Sequence, residues 1–121
     1  MPVTAASYKI LIDQGASCTL GIKILDENGD TIDLTGYQAY LQIREYLSSP
    51  APLVDLSVAN GGITIDPVGQ RFVITLPPSA TAAYDWSHGV FDMVAVAPDG
   101  TTTRLLRGEA EVSTAITVVG T

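Results

Sequence analysis

Trp86–Val112 reads WSHGVFDMVAVAPDGTTTRLLRGEAEV, and this stretch decides the fold. Its first run, Val90 to Ala97, holds Val90, Phe91, Met93, Val94 and Val96 with almost no polar break. That is the pattern of a strand covered on both faces or nearly so. Asp99-Gly100 signals a hairpin turn, because glycine accepts positive φ and aspartate bonds its own backbone. The returning run, Thr101 to Val112, carries Leu105, Leu106 and two arginines. The pair reads as the central hairpin of a β-sandwich.

The flanking sequence repeats the β signal. Cys18, Leu20, Ile22 and Ile24 alternate with Thr19, Gly21 and Lys23, a period of two that marks a half-buried strand with Lys23 on its wet face. Tyr37 to Glu45 alternates in the same way, with Tyr37, Ala39, Leu41 and Ile43 facing inward, and so does Arg71 to Leu76. Ser7–Asp13, Leu53–Val58 and Ile63–Ile65 read as shorter strands, and Thr31–Gly36 as a short extended piece. Asn28-Gly29 and Asn60-Gly61-Gly62 supply turns, while Pro50 and Pro52 place a loop at Ser48–Pro52. Pro77–Tyr84 is the one helical stretch, with Ser79 as its expected cap. Ser113–Val119 would add an edge strand.

Turn signals fall roughly every eight to twelve residues, the spacing of an all-β sandwich. The expectation is a single immunoglobulin-like antiparallel β-sandwich over residues 1–121, with one short helix before the last hairpin. Residues 1–6 and 115–121 are expected as arms or an edge strand. The expected core holds Ile22, Ile24, Leu41, Ile43, Phe72, Ile74, Phe91 and Trp86.

Composition narrows the function. With 121 residues, 46% hydrophobic and 16% charged, the chain is globular and large enough to fold without staples. No apolar run is long enough to cross a bilayer, and the start, MPVTAAS, lacks the basic and apolar blocks of a signal peptide. The single cysteine excludes an internal disulfide. Thirteen acidic against six basic side chains give a net charge of −7, which argues against nucleic acid as a partner. A low charged fraction with positive mean hydropathy points to apolar surface that meets a partner.

Each candidate site yields to a plainer reading. Asp26, Asn28 and Asp30 sit at alternate positions in an acidic turn, but a calcium loop would need glycine at Thr31 and glutamate at Tyr37. A solvated hairpin turn fits better. His88 and Cys18 are each the only residue of their kind, so neither a triad nor a zinc site can be completed. Cys18 reads as a small buried residue and His88 as a corner residue. Gly61-Gly62 has no helix behind it to make a phosphate loop. Trp86, Phe91 and Tyr37 read as core rather than as a sugar platform. Asp92, a carboxylate within the most apolar strand, calls for a partner, and Arg44, Arg104 or Arg107 could supply it as a structural ion pair. No catalytic residue, metal ligand or cofactor is expected, nor a small-molecule ligand or a membrane partner.

Three segments carry a resemblance: IDLTGYQAYLQIR (Ile32 to Arg44), NGGITIDPVGQRFVITLPPSATAAYDW (Asn60 to Trp86) and GVFDMVAVAPDGTTTRLLRGEAEVS (Gly89 to Ser113). Together they resemble a group of small virion proteins of tailed bacteriophages, which carry a DLTGY…QIR strand, an NGGI middle with a later LP, and a hairpin ending in RLL.G. The likeness spans Tyr8 to Val112; Phe91 stands where the group usually has tyrosine. It implies a non-enzymatic structural protein of the virion, made in the host cytoplasm and placed in the tail, baseplate or fibre attachment. Its implied partners are other virion proteins and copies of itself in a symmetric assembly. The alternatives are a capsid decoration protein and, from another class, a carbohydrate-binding module.

Overall fold

In the computed structural model, residues 6–24, 28–30 and 32–114 are described, and the side chain of Ala6 is left aside. Eight strands and one short helix follow in the order β1 (Ala6–Asp13), β2 (Cys18–Ile22), β3 (Gln38–Arg44), β4 (Val54–Ser57), β5 (Ile63–Asp66), β6 (Arg71–Leu76), α1 (Pro78–Ala82), β7 (His88–Val96) and β8 (Thr102–Ser113). They form a five-stranded sheet in the order β1-β8-β7-β3-β4 and a three-stranded sheet in the order β2-β6-β5. The all-β expectation holds, with the one small helix just ahead of the last hairpin. Ala6, assigned to an arm from the sequence, is the first residue of β1, and residues 1–5 and 115–121 lie outside the described residues.

β7 sits at the centre of the larger sheet, as its apolar sequence requires. Gly89, Phe91, Met93 and Ala95 are buried on one face, while Val90, Asp92, Val94 and Val96 are half-covered on the other. Asp99 and Gly100 close the hairpin to β8: Gly100 has φ 92°, the Thr101 N–H donates to Asp99 Oδ1, and Ala97 N–H donates to the Thr101 carbonyl at 2.8 Å. In β3, Ala39, Leu41 and Ile43 face the same interior.

The smaller sheet supplies the opposing half of the core through Phe72, Ile74, Leu76 and Ile63, with Cys18, Leu20 and Ile22 packed against them. Same-face pairs such as Ile22 with Phe72 and Leu20 with Ile74 follow from the antiparallel register. One apolar cluster therefore draws on both sheets. Burying about ten such side chains, at about 1.5–3 kcal/mol each, is what favours association of the layers.

Four expectations need correction. The pairing of β1 with β8 is parallel, not antiparallel: Ala6 to Asp13 run alongside Leu106 to Ser113. Nearly the whole chain separates these strands, so no tight turn imposes an antiparallel approach. Ile32 to Gly36 forms no strand. Its backbone turns at Gly36, φ 80°, while Leu34 buries completely and donates its N–H to Gln70 Oε1 at 3.0 Å. Ser79 does not cap α1; Pro77 occupies the cap position and no side chain caps the helix. Trp86 and Ile22 pack on the core but are only partly buried. Trp86 lies in the connection ahead of β7, where its ring meets Tyr84 at 5.3 Å between centroids.

Candidate interaction surface

The outer face of the five-stranded sheet is built by register. One rung runs from Asp55 on β4 through Gln42, Asp92 and Arg107 to Ser7 on β1. The next pairs Arg44 with Val90, Glu109 and Lys9. Arg104 and Arg107 are three residues apart, so simple alternation would send them to opposite faces. A register shift opposite Met93 and Val94 makes Leu105 the extra residue of a β-bulge: Met93 pairs with Leu106, Val94 with Arg104. Leu105 and Leu106 are both buried, and both arginines reach the outer face.

Asp92 therefore lies on the wet face, not in the interior. Arg104 Nε approaches its Oδ2 at 3.3 Å, with the side chains 56% and 42% exposed. The arginine pairing expected from the sequence is therefore a surface pair with Arg104; period two puts Asp92 outward whenever Phe91 and Met93 point inward. The other two arginine candidates do not pair with it. Arg44 donates through Nη1 to the Ser49 carbonyl at 2.9 Å and through Nη2 to Gln42 Oε1 at 2.8 Å. Arg107 stands opposite Asp92 in register yet has no hydrogen-bond or ion-pair partner among the described residues. Between them lies an open groove of about 500 Å³, lined by Gln42, Arg44, Leu47, Asp92, Arg104 and Arg107 among others.

Charge beside the groove is held elsewhere. Lys9 Nζ pairs with Glu111 Oε2 at 2.9 Å, which raises the lysine above its ordinary 10.5 and lowers the glutamate below 4.5. His88, at the start of β7, is exposed; Nδ1 lies 3.2 Å from Ser87 Oγ and Nε2 3.9 Å from Glu111 Oε1. Cys18 is partly buried, and its thiol is pushed up by burial and then by Asp13.

A second groove, about 520 Å³, is lined by Tyr46, Leu53, Trp86, His88 and the carboxylates Glu45 and Asp85. Trp86 Nε1 is itself buried, with no hydrogen-bond partner among the described residues. Among the described residues, no three of His, Cys, Asp and Glu converge as metal ligands; Asp26 and Glu27 of the acidic turn lie outside them.

Apolar side chains stand in the open on this half of the molecule. Leu11 on β1 is 66% exposed, and Tyr46 and Leu47, in the turn after β3, are 65% and 91% exposed. Tyr8 and Tyr40 are also exposed. β1 and β4 are the outermost strands of the sheet. Sequence reading missed the contribution of Thr81, which is fully buried: its hydroxyl donates to the Ala16 carbonyl at 2.7 Å and accepts the Gly15 N–H at 3.1 Å. It ties α1 to the turn between β1 and β2, and only the fold brings those positions together. No protein-family model matches the chain, and no curated protein matches it.

Proposed function

We propose that the protein is a non-enzymatic structural component of a tailed-phage virion, acting through protein–protein contacts in the tail, baseplate or fibre attachment. The supporting observation is the exposure of Leu11 and Tyr40 on the outer face of the larger sheet and of Tyr46 and Leu47 in its adjoining turn, with Leu11 on an outermost strand. Exposed apolar patches and open sheet edges are what subunit contacts cover. The DLTGY and RLL.G segments, and the immunoglobulin-like arrangement expected from the turn spacing, belong to the same proposal. So do self-association and placement in the virion after synthesis in the host cytoplasm; head decoration is the alternative position.

Fractionation tests it. An antibody to the chain should label tailed particles at the tail after gradient purification. Label on the head would move the protein to capsid decoration, and a chain found only in the soluble fraction would overturn the virion reading. One observation favours a second class: Tyr46 and Trp86 line one groove together with two carboxylates, a composition suited to a sugar ring. Retention on a glycan column, lost in Tyr46→Ala, would establish that reading instead.

A further inference from the structure

We propose that the groove over β3, β7 and β8 binds an extended acidic peptide segment of an assembly partner, with Arg44 and Arg107 taking its carboxylates. The proposal rests on the contact reading above and names the chemistry of one such contact. Charge distribution carries it. Arg44, Arg104 and Arg107 are three of the six cationic side chains of the chain, and all line this groove. Against Asp92 they leave the groove at +2, so the rest of a chain of net charge −7 carries −9. The groove is a cationic site on an otherwise strongly acidic molecule.

Among the described residues, two of the three guanidinium groups form no ion pair. Asp92 neutralises Arg104. Arg44 is held in place by the Ser49 carbonyl and the Gln42 amide oxygen, both neutral acceptors, so it is oriented while its charge stays available. Arg107 has no partner among the described residues. Glu109, on the same outer face, is not part of the groove lining and adds to the field at Lys9. Arg44 and Arg107 stand on strands that flank β7 and on successive rungs, about 12 Å apart at the backbone, a span that two carboxylates on an extended peptide can match. Guanidinium groups meet planar carboxylates in a two-pronged geometry that fixes orientation as well as energy. Leu47 and Val90 add apolar wall for a side chain between them. A nucleic-acid backbone is disfavoured because its continuous charge must approach the surrounding −9, whereas a short acidic segment need touch only the groove.

The test uses the full chain and a fluorescein-labelled hexaglutamate peptide, followed by anisotropy at low salt. Binding is expected, weakening as salt rises. Arg107→Gln, which breaks no hydrogen bond or ion pair among the described residues, should weaken it about tenfold, the worth of one charge-assisted hydrogen bond. Asp92→Asn, which frees Arg104, should tighten it. Lys23→Gln removes the same charge from an exposed position just past β2 and should leave affinity unchanged. Equal weakening by Lys23→Gln, or equal binding of hexaglutamine, would overturn the proposal, as would no binding at millimolar peptide. A single-stranded hexanucleotide that binds more tightly, with the same dependence on Arg107, would overturn the peptide assignment. Failure of the peptide with the chain still present in particles removes the groove alone; peptide binding by a chain absent from particles removes the virion reading alone.

Discussion

Asp92 forms its ion pair with Arg104, at 3.3 Å, although its direct cross-strand neighbour is Arg107. The Leu105 bulge is the cause, since it shifts Arg104 onto the face and rung from which it reaches Asp92 diagonally. Both partners are well exposed, so solvent screens the pair. Asp92→Asn and Arg104→Gln should each cost less than about 1 kcal/mol in denaturant unfolding. A loss several times larger in either variant would mean that the carboxylate is held by the interior after all.

Gly108 on β8 is pressed against Tyr8 on β1 so closely that a Cβ at Gly108 would collide with the Tyr8 carbonyl oxygen. The obstructing atoms are backbone and cannot swing away. Gly108→Ala should destabilise the protein by about 3 kcal/mol, the upper end of the usual cost of overpacking. Hydrogen exchange should then show early loss of protection in β1 while β3 and β7 keep theirs. Uniform loss across the sheet, or none, would count against this close approach.

The core and its margin should respond differently. Phe72 is completely buried and meets Tyr37 edge-on at 6.3 Å, so Phe72→Ala should cost about 3–5 kcal/mol. Trp86 is partly buried with an indole N–H that finds no partner among the described residues. Trp86→Phe removes that donor and should be close to neutral, because a buried unsatisfied group already carries its desolvation cost. Calorimetric melting of the two variants distinguishes the sites; a large drop for Trp86→Phe would show that the indole N–H is bonded.

Acid should destabilise the protein through a few turn carboxylates. Asp66 accepts the N–H groups of Gly69 and Val68 and pairs with Arg71 at 3.1 Å, and these bonds hold it below its ordinary 3.8. Thr35 lowers Asp33 and Thr101 lowers Asp99 in the same way. A carboxylate whose folded pKa lies below its unfolded value contributes stability that is present above the unfolded value and lost as pH falls through the folded one. Lys9, raised by Glu111, contributes stability that is lost only above pH 10.5. Through these groups the melting temperature should thus be insensitive to pH near neutrality and fall as pH drops below about 4. In Asp66→Asn that acid fall should shrink; an unchanged acid limb would remove Asp66 from the account.

How much of this was legible in the sequence depends on the range of the contacts. β7, β3 and β6 were readable because their alternation is set by burial against one face, and Asp99-Gly100 because its turn is local. The bulge was not, since Leu105-Leu106 fits a strand with either leucine inward until the partner strand fixes the register. Asp92 was drawn to the interior by its apolar neighbours, although strict alternation with Phe91 and Met93 already placed it outside. The parallel β1–β8 pairing, the burial of Leu34 and the Thr81 clamp each join positions far apart in the chain, and no local pattern encodes them.

The proposed role, a place in a tailed particle held through the chain's exposed faces, is open to direct measurement. Quantitative mass spectrometry of purified tailed particles tests this most directly, comparing the unaltered chain with the Leu11→Asp, Tyr46→Asp double variant supplied at equal expression. A fixed whole-number copy number is expected for the unaltered chain. For the variant, folded by circular dichroism, at least about a tenfold fall is expected, the factor that about 1.4 kcal/mol of lost contact represents. Absence of the unaltered chain from particles, or full occupancy by the double variant, would contradict it.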